Sequence, residues 1–300
     1  LQKCLSFITL PLFTRLLTTE QYGQATIYSS WLGILTIFLT LNLAYGSFQT
    51  AMVKYEDKRA EYVASIQGIC LLLAGIFLIL YIPFRNLWNS WFELPTIFVV
   101  LMISEIVFST STLLWMGKNR FEFKYKSVVA VTMTISVIAP IFAYILVVST
   151  EEKGYARILG YSAINIIAGI IFFTINMVHG KKLYNREFWK YALNFNIPLL
   201  VYYLSQAIFN QSDRIMISHI KGTSDAAMYG VAYNLAMILT FVLNAINGSY
   251  VPWMYEKIKK NRGQENKSVS IILVLLISSS PHELIAATST PEFSPRIIDL

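Results

Sequence analysis

Long apolar stretches separated by short polar loops dominate the sequence. Six of them are clear: residues 25–48, 62–82, 94–115, 127–149, 158–178 and 226–250. A hydrocarbon core about 30 Å thick needs roughly 20 apolar residues of helix, and most of these stretches reach that length. The pattern therefore predicts an all-α membrane protein that crosses the bilayer many times.

The composition agrees with this prediction. Apolar residues make up 55% of the chain and charged residues only 14%, which would leave a soluble fold too little polar surface. We expect about nine spans, the first over residues 1–17 and the ninth from about Ser268. Because the chain starts at Leu1 without a basic leader, and the ninth span is short, we expect both ends to be truncated.

Basic residues divide unequally between alternate loops. Sixteen of the 24 fall in loops that follow even-numbered spans: Lys54, Lys58, Arg59, Lys118, Arg120, Lys124, Lys126, Lys181, Lys182, Arg186, Lys190, Lys257, Lys259, Lys260, Arg262 and Lys267. The odd-numbered loops hold Arg15, Arg85, Lys153, Arg157, Arg214 and Lys221. Since basic residues concentrate in cytoplasmic loops, we expect the even loops and the start of the first span to lie in the cytoplasm.

Several kinds of site are not indicated. The net charge of +7 is spread over four short loops, which leave no room for a nucleic-acid recognition fold. Cys4 and Cys70 lack the spacing of a metal or redox motif, and His179, His219 and His282 have no ligand-spaced neighbours. We expect structural or loop roles for the histidines, and no metal or cofactor.

A short motif recurs along the chain. Tyr22-Gly23-Gln24-Ala25 and Tyr229-Gly230-Val231-Ala232 are 207 positions apart, and six spans separate them. Both follow an odd-numbered span that carries an arginine near its outer end, which favours two parallel six-helix repeats. We therefore predict a first lobe over residues 1–178, a cytoplasmic linker over 179–191 and a partial second lobe over 192–300.

Three segments carry a family resemblance. They are PLFTRLLTTEQYG at residues 11–23, DRIMI at 213–217 and GTSDAAMYG at 222–230. Together they resemble the polysaccharide flippases, the O-antigen and capsule unit translocases of the multidrug, oligosaccharidyl-lipid and polysaccharide exporter superfamily. The resemblance implies two six-helix lobes around a central cavity, of which this chain would carry one complete lobe and half of the other.

The function that the resemblance implies is not enzymatic. It is translocation of undecaprenyl-pyrophosphate-linked oligosaccharides across the bacterial inner membrane by alternating access, for O-antigen, capsule or exopolysaccharide synthesis. Expected partners are the lipid-linked substrate and membrane lipids, with a polysaccharide polymerase and glycosyltransferases as further candidates. Two alternatives remain: a cation-coupled drug or metabolite antiporter of the same superfamily, and a membrane glycosyltransferase or acyltransferase. The loops contain no catalytic motif that favours the enzyme.

Two predicted spans have polar faces. Span seven carries Tyr202, Gln206, Asn210 and Asp213 at helical spacing, and span eight carries Tyr229, Tyr233, Thr240, Asn244 and Asn247. Such faces either join helices through hydrogen bonds or line a hydrated cavity. Amide and aromatic groups suit sugar hydroxyls and rings, so Gln206, Asn210, Tyr233 and Asn244 are candidate substrate contacts.

Charged residues supply the remaining candidates. Glu105 lies midway along span four, where insertion of a charged carboxylate into the bilayer costs roughly 2.5–3.5 kcal/mol. It should therefore face the interior of the helix bundle. There it would either bind a cation or a proton, or act as a hydrogen-bonded structural acid. Asp213 is a second candidate for ion coupling. Arg15 and Arg214 offer the fixed charge that a pyrophosphate needs, or are interfacial charges. Gly68 and Gly75 are expected to permit close helix packing.

Overall fold

A computed structural model of the protein describes residues 2–234, and this part of the chain is helical without any strand. The helices are α1 (Gln2–Leu16), α2 (Thr19–Thr40), α3 (Gly46–Lys54), α4 (Arg59–Tyr81), α5 (Arg85–Phe92), α6 (Thr96–Phe121), α7 (Tyr125–Ser149), α8 (Lys153–Gly180) and α9 (Arg186–Lys221). A 3₁₀ turn over Glu56–Lys58 precedes α4, and residues 223–234 are again helical. The predicted all-α class is confirmed.

Five of the described helices are long and apolar enough to cross a membrane. They are α4 with its preceding turn, α6, α7, α8 and α9, which correspond to predicted spans three to seven. Helix α1 has only 15 residues, and the first half of α2 is polar, so these two helices do not belong to that group. Most of predicted span eight and all of span nine lie outside the described residues. The chain is a multi-pass membrane protein.

The second predicted span is not one continuous helix. Helix α2 ends at Thr40, and Leu41 and Asn42 take left-handed backbone conformations with φ of 47° and 53° before α3 begins at Gly46. The prediction of a single helix over residues 25–48 is therefore wrong at its C-terminal end. A left-handed residue that closes the last helical turn is a common helix stop, but it is usually glycine or asparagine, so Leu41 gave no signal.

Helix α8 is the centre of the packing. It contacts α2, α4, α6 and α7. Three of its glycines let neighbouring backbones approach: Gly160 lies against Ala143 of α7, Gly169 against the Phe108 backbone of α6, and Gly180 against the Ala60 backbone of α4. Small residues at such positions are typical of membrane helix interfaces.

The two glycines predicted to permit close packing differ. Gly68 of α4 lies against the backbone of Leu183, so it permits the close approach of the loop between α8 and α9 rather than of a helix. Gly75 has open space where a Cβ would stand, so the prediction for it is wrong. The recurring Tyr-Gly motif also has a packing role, since Gly23 at the start of α2 lies against Thr223, and Gly230 lies against Thr26.

The chain divides into two compact units, Leu1–Gly230 and Val231–Leu300, and the contacts described here are those of the first. Two apolar clusters stabilise it. One joins α2 to α5 and α6 through Trp31, Phe92 and Met102, and the other joins α3, α4 and α9 through Met52, Tyr62 and Phe188. The predicted boundary between lobes at residues 179–191 stays a prediction.

Candidate functional site

The most distinctive polar site in the membrane-spanning region surrounds Glu105 of α6. The residue is only 6% exposed, and its carboxylate accepts three hydrogen bonds from other helices. Tyr28 Oη of α2 donates to Oε2 at 2.8 Å, Ser162 Oγ of α8 donates to the same oxygen at 2.6 Å, and Asn165 Nδ2 of α8 donates to Oε1 at 2.8 Å. Glu105 therefore ties three helices together.

The local sequence explains how this site forms. Ser162 and Asn165 are three positions apart, so they share one face of α8, and the nearby glycines hold α8 close to α6 and α7. The hydroxyl groups of α6 next to Glu105 do not bond its carboxylate. Ser104 and Ser109 instead bond carbonyls of their own helix.

The hydrogens of this site can be counted. Glu105 Oε2, Tyr28 Oη and Ser162 Oγ form a triangle with sides of 2.8, 2.6 and 3.1 Å. The two hydroxyl groups supply two hydrogens for three short contacts, and an ionised carboxylate supplies none. With Glu105 ionised, at most two of these three contacts are therefore hydrogen bonds at any one time.

Among residues 2–234, Glu105 forms no ion pair, and no group of three histidine, cysteine, aspartate or glutamate side chains could hold a metal ion. Within the described residues, this carboxylate is thus stabilised by uncharged hydrogen-bond donors and by no cation. Intramembrane ionisable residues of this kind often mark proton or ion pathways.

The predicted substrate contacts of span seven lie on a different surface. Tyr202, Gln206, Asn210 and Asp213 of α9 are all exposed with respect to the first unit. Asn210 Nδ2 donates to the Gln206 carbonyl at 2.8 Å, and Tyr229 Oη donates to Asp213 Oδ2 at 2.6 Å. The stripe is therefore open along α9. Tyr233 belongs to the second unit, and Asn244 lies outside the described residues.

The two predicted arginines differ in their surroundings. Arg15 is exposed at the end of α1, and Arg214 of α9 is half-buried and donates from Nη1 to Gln211 Oε1 at 3.2 Å. Neither lies on α2, α6 or α8, the helices that form the Glu105 site. The substrate roles of both arginines, of Asp213 and of the α9 stripe stay predictions.

Sequence reasoning missed a third arginine. Arg157 of α8 is half-buried, and its Cζ lies 4.4 Å from the ring centroid of Tyr22 and 4.9 Å from that of Phe13. From the sequence it is one of the basic residues of an odd-numbered loop, because it directly precedes the predicted span over residues 158–178. Only the packing of α1, α2 and α8 reveals its aromatic partners.

A further contact joins the end of α9 to the residue that follows α5. Glu93, in a left-handed conformation after α5, accepts a hydrogen bond from Ser218 and lies with Oε1 2.9 Å from His219 Nδ1. The structural role expected for His219 fits this contact. His179 Nδ1 lies 2.7 Å from the Ile175 carbonyl of its own helix.

Comparison with known proteins identifies the family. A family model described as polysaccharide biosynthesis protein matches residues 1–257. The chain belongs to this family. The match includes Glu105, Arg157 and the whole of α9, so every candidate described above is part of the family's own region rather than of an added segment.

Two relatives come from Haemophilus influenzae. A protein of the Lsg locus is 21% identical over 266 residues, which cover 87% of this chain and 64% of the relative. An uncharacterized membrane protein is 26% identical over 267 residues, covering 86% of this chain and 63% of the relative. The chain thus spans somewhat less than two thirds of the length of these relatives. No solved structure matches it.

For a polysaccharide biosynthesis family protein with several membrane helices, the described site offers no catalytic constellation. It offers instead an intramembrane carboxylate that joins three helices, an open polar stripe on α9 and an arginine enclosed by aromatic rings. Features of this kind suit the binding of ions or polar groups within a membrane.

Proposed function

We propose that the full-length protein moves undecaprenyl-pyrophosphate-linked oligosaccharide units from the cytoplasmic to the outer leaflet of the bacterial inner membrane. The observation that carries the proposal is the family assignment of a multi-pass helical chain. Polysaccharide units are assembled on lipid carriers, and a membrane protein without a catalytic constellation in its described part suits their transfer better than their synthesis. The proposed role is therefore transport.

Glu105 supports a mechanism driven by ions. Its carboxylate is held by donors from α2 and α8, so a change in its protonation would alter hydrogen bonds between three helices at once. Alternating access requires helices to move relative to each other around a fixed site. We infer that proton binding at Glu105 favours one arrangement of α2, α6 and α8 over another.

Substrate recognition is assigned to the remaining candidates. Arg15 and Arg214 would hold the pyrophosphate, while Gln206, Asn210, Tyr233 and Asn244 would contact the sugars. The open stripe on α9 supports this assignment for Gln206 and Asn210, because exposed amides can form hydrogen bonds with hydroxyl groups. Asp213 would be a second ion-coupling group. The polymerase and glycosyltransferases of the same pathway are proposed partners.

A cation-coupled antiporter is the second candidate, since the Glu105 site would serve it equally well. Gene deletion separates the two. Loss of a flippase should abolish surface polysaccharide and leave lipid-linked oligosaccharide in the cytoplasmic leaflet, and the full-length gene should restore export. Normal surface polysaccharide together with increased sensitivity to cationic drugs would reject the flippase and support the antiporter.

A further inference from the structure

Arg157 lies in an unusual setting at one end of the helix bundle. It is in the second turn of α8, at the end that the distribution of basic residues predicts to face outward. The rings of Tyr22 and Phe13 approach its guanidinium from α2 and α1, and Tyr161 packs at a tilt against Phe13 with ring centroids 5.9 Å apart. The charge thus lies against aromatic rings from two neighbouring helices.

The guanidinium has no acceptor among residues 2–234. Its Nη1 atom is buried and makes no hydrogen bond, and its side chain forms no ion pair. Cation–π contacts stabilise the charge but do not accept hydrogen bonds in the plane of the guanidinium. An unsatisfied buried donor of this kind is costly, and a ligand that satisfies it gains roughly tenfold or more in affinity.

Two other shielded cations have acceptors within the described residues. Arg59 donates to the Met52 carbonyl at 2.7 Å and lies 3.5 Å from Glu56, and Lys118 lies 3.9 Å from Glu122. Arg157 follows Glu151 and Glu152 in sequence, yet neither carboxylate forms an ion pair with it. The acceptor for Arg157 is therefore expected from outside the described protein.

We propose that Arg157 binds the phosphate or pyrophosphate group of a membrane lipid at the outward end of α8. Arginine is suited to this ligand because its planar donors match phosphate oxygens bidentately and it stays charged at all physiological pH values. The position within the first turns of a membrane helix places it near the level of lipid headgroups. Assignment of the ligand as the transported lipid rests on the proposed function, whereas the anion site itself does not.

Binding can be measured without transport. The full-length protein is purified into nanodiscs of phosphatidylcholine, and farnesyl pyrophosphate, a short isoprenyl pyrophosphate, is titrated by calorimetry. Arg157→Gln is expected to weaken binding tenfold or more, and Arg157→Lys to a smaller extent. The matched control is Arg85→Gln, which removes an exposed arginine on the same predicted side and should change the affinity by less than about twofold.

A second arm identifies the source of the phosphate. Nanodiscs are prepared with and without phosphatidylglycerol, and retained lipids are counted by native mass spectrometry. If phosphatidylglycerol competes with farnesyl pyrophosphate and stays on the unmodified protein but not on Arg157→Gln, the site binds phospholipid headgroups. If only the isoprenyl pyrophosphate depends on Arg157, the site binds the carrier lipid. Equal binding of both lipids by Arg157→Gln and the unmodified protein would overturn the proposal.

The unmodified protein provides an independent measurement in case Arg157→Gln does not fold. Phenylglyoxal modifies accessible arginines, and peptide mapping compares Arg157 with Arg85. Farnesyl pyrophosphate or phosphatidylglycerol should protect Arg157 and leave Arg85 reactive, and equal modification of Arg157 without and with both lipids would contradict the site. A protein that binds through Arg157 while its gene deletion leaves surface polysaccharide normal would keep the site and reject the proposed flippase.

Discussion

Replacement of Glu105 by glutamine separates an ion-coupling role from a structural one. The substitution preserves side-chain shape and removes the charge. The new amide oxygen can occupy the position of Oε2 and accept from Tyr28 and Ser162. The new amide nitrogen then faces Asn165, whose own amide can rotate to present its oxygen. All three contacts can therefore survive.

The expected stability change follows from these contacts. A hydrogen bond to a charged group contributes about 1 kcal/mol more than one between neutral groups, so three bonds lose about 3 kcal/mol in total. Removing a carboxylate from the membrane interior regains roughly 2.5–3.5 kcal/mol. The two effects nearly cancel, and Glu105→Gln should unfold within a few degrees of the unmodified protein. In Glu105→Leu the hydroxyls of Tyr28 and Ser162 can still bond each other, so one of these hydroxyls and the Asn165 amide lose their acceptor at about 1–3 kcal/mol each, and this variant should be clearly destabilised.

Transport should respond differently. A carboxylate that binds and releases a proton cannot be replaced by an amide, so Glu105→Gln should abolish export while protein level and thermal stability remain normal. The assay is surface polysaccharide in a deletion strain complemented with full-length variants, with immunoblots for expression. Glu20→Gln, which changes an exposed glutamate in the first turn of α2, is the matched control and should export normally. Normal export by Glu105→Gln would refute ion coupling and leave Glu105 as a structural acid.

Three further predictions concern topology, packing and substrate binding. A cysteine in place of Lys124 should be protected from impermeant thiol reagents in intact cells, whereas one in place of Lys153 should be labelled. The opposite result would reverse the predicted orientation of the protein in the membrane. Gly169→Ala should lower the free energy of unfolding by about 1–3 kcal/mol in thermal unfolding, because the Phe108 backbone occupies the space of the new methyl group. Gly75→Ala should be neutral or stabilising by up to about 1 kcal/mol, because this position is open. Equal effects of the two substitutions would argue against the α6–α8 contact. Arg214→Ala should lose export and Arg214→Lys should restore it partly, and full activity of the alanine variant would remove Arg214 from the substrate site.

The helical architecture was largely predictable because membrane helices can be identified in a sequence by their length and hydrophobicity. Spans three to six appear close to their predicted limits, since their ends coincide with charged or proline-containing loops. The break after Thr40 was not predictable in the same way. It falls inside an apolar run whose first left-handed residue, Leu41, is not one that normally favours this conformation.

The candidate site was predictable only in part. The depth of Glu105 in its span indicated that it lies in the interior, and it does. Its partners could not be identified, because they lie 57 to 77 positions away and depend on how α2 and α8 pack against α6. Arg157 was missed for the same reason: a count of basic residues treats it like Lys153, whereas the packing of Phe13 and Tyr22 distinguishes it.

The two charges that the structure singles out both contact α2. Tyr22 contacts Arg157 and Tyr28 contacts Glu105, six positions apart on α2, which is about 9 Å along the helix axis. Because both sites act on α2, an anion at Arg157 that favours one position of this helix would also change the binding of a proton at Glu105, and by linkage the proton would change anion binding by the same factor. Such reciprocity would favour movement of the charged lipid and the proton as linked events.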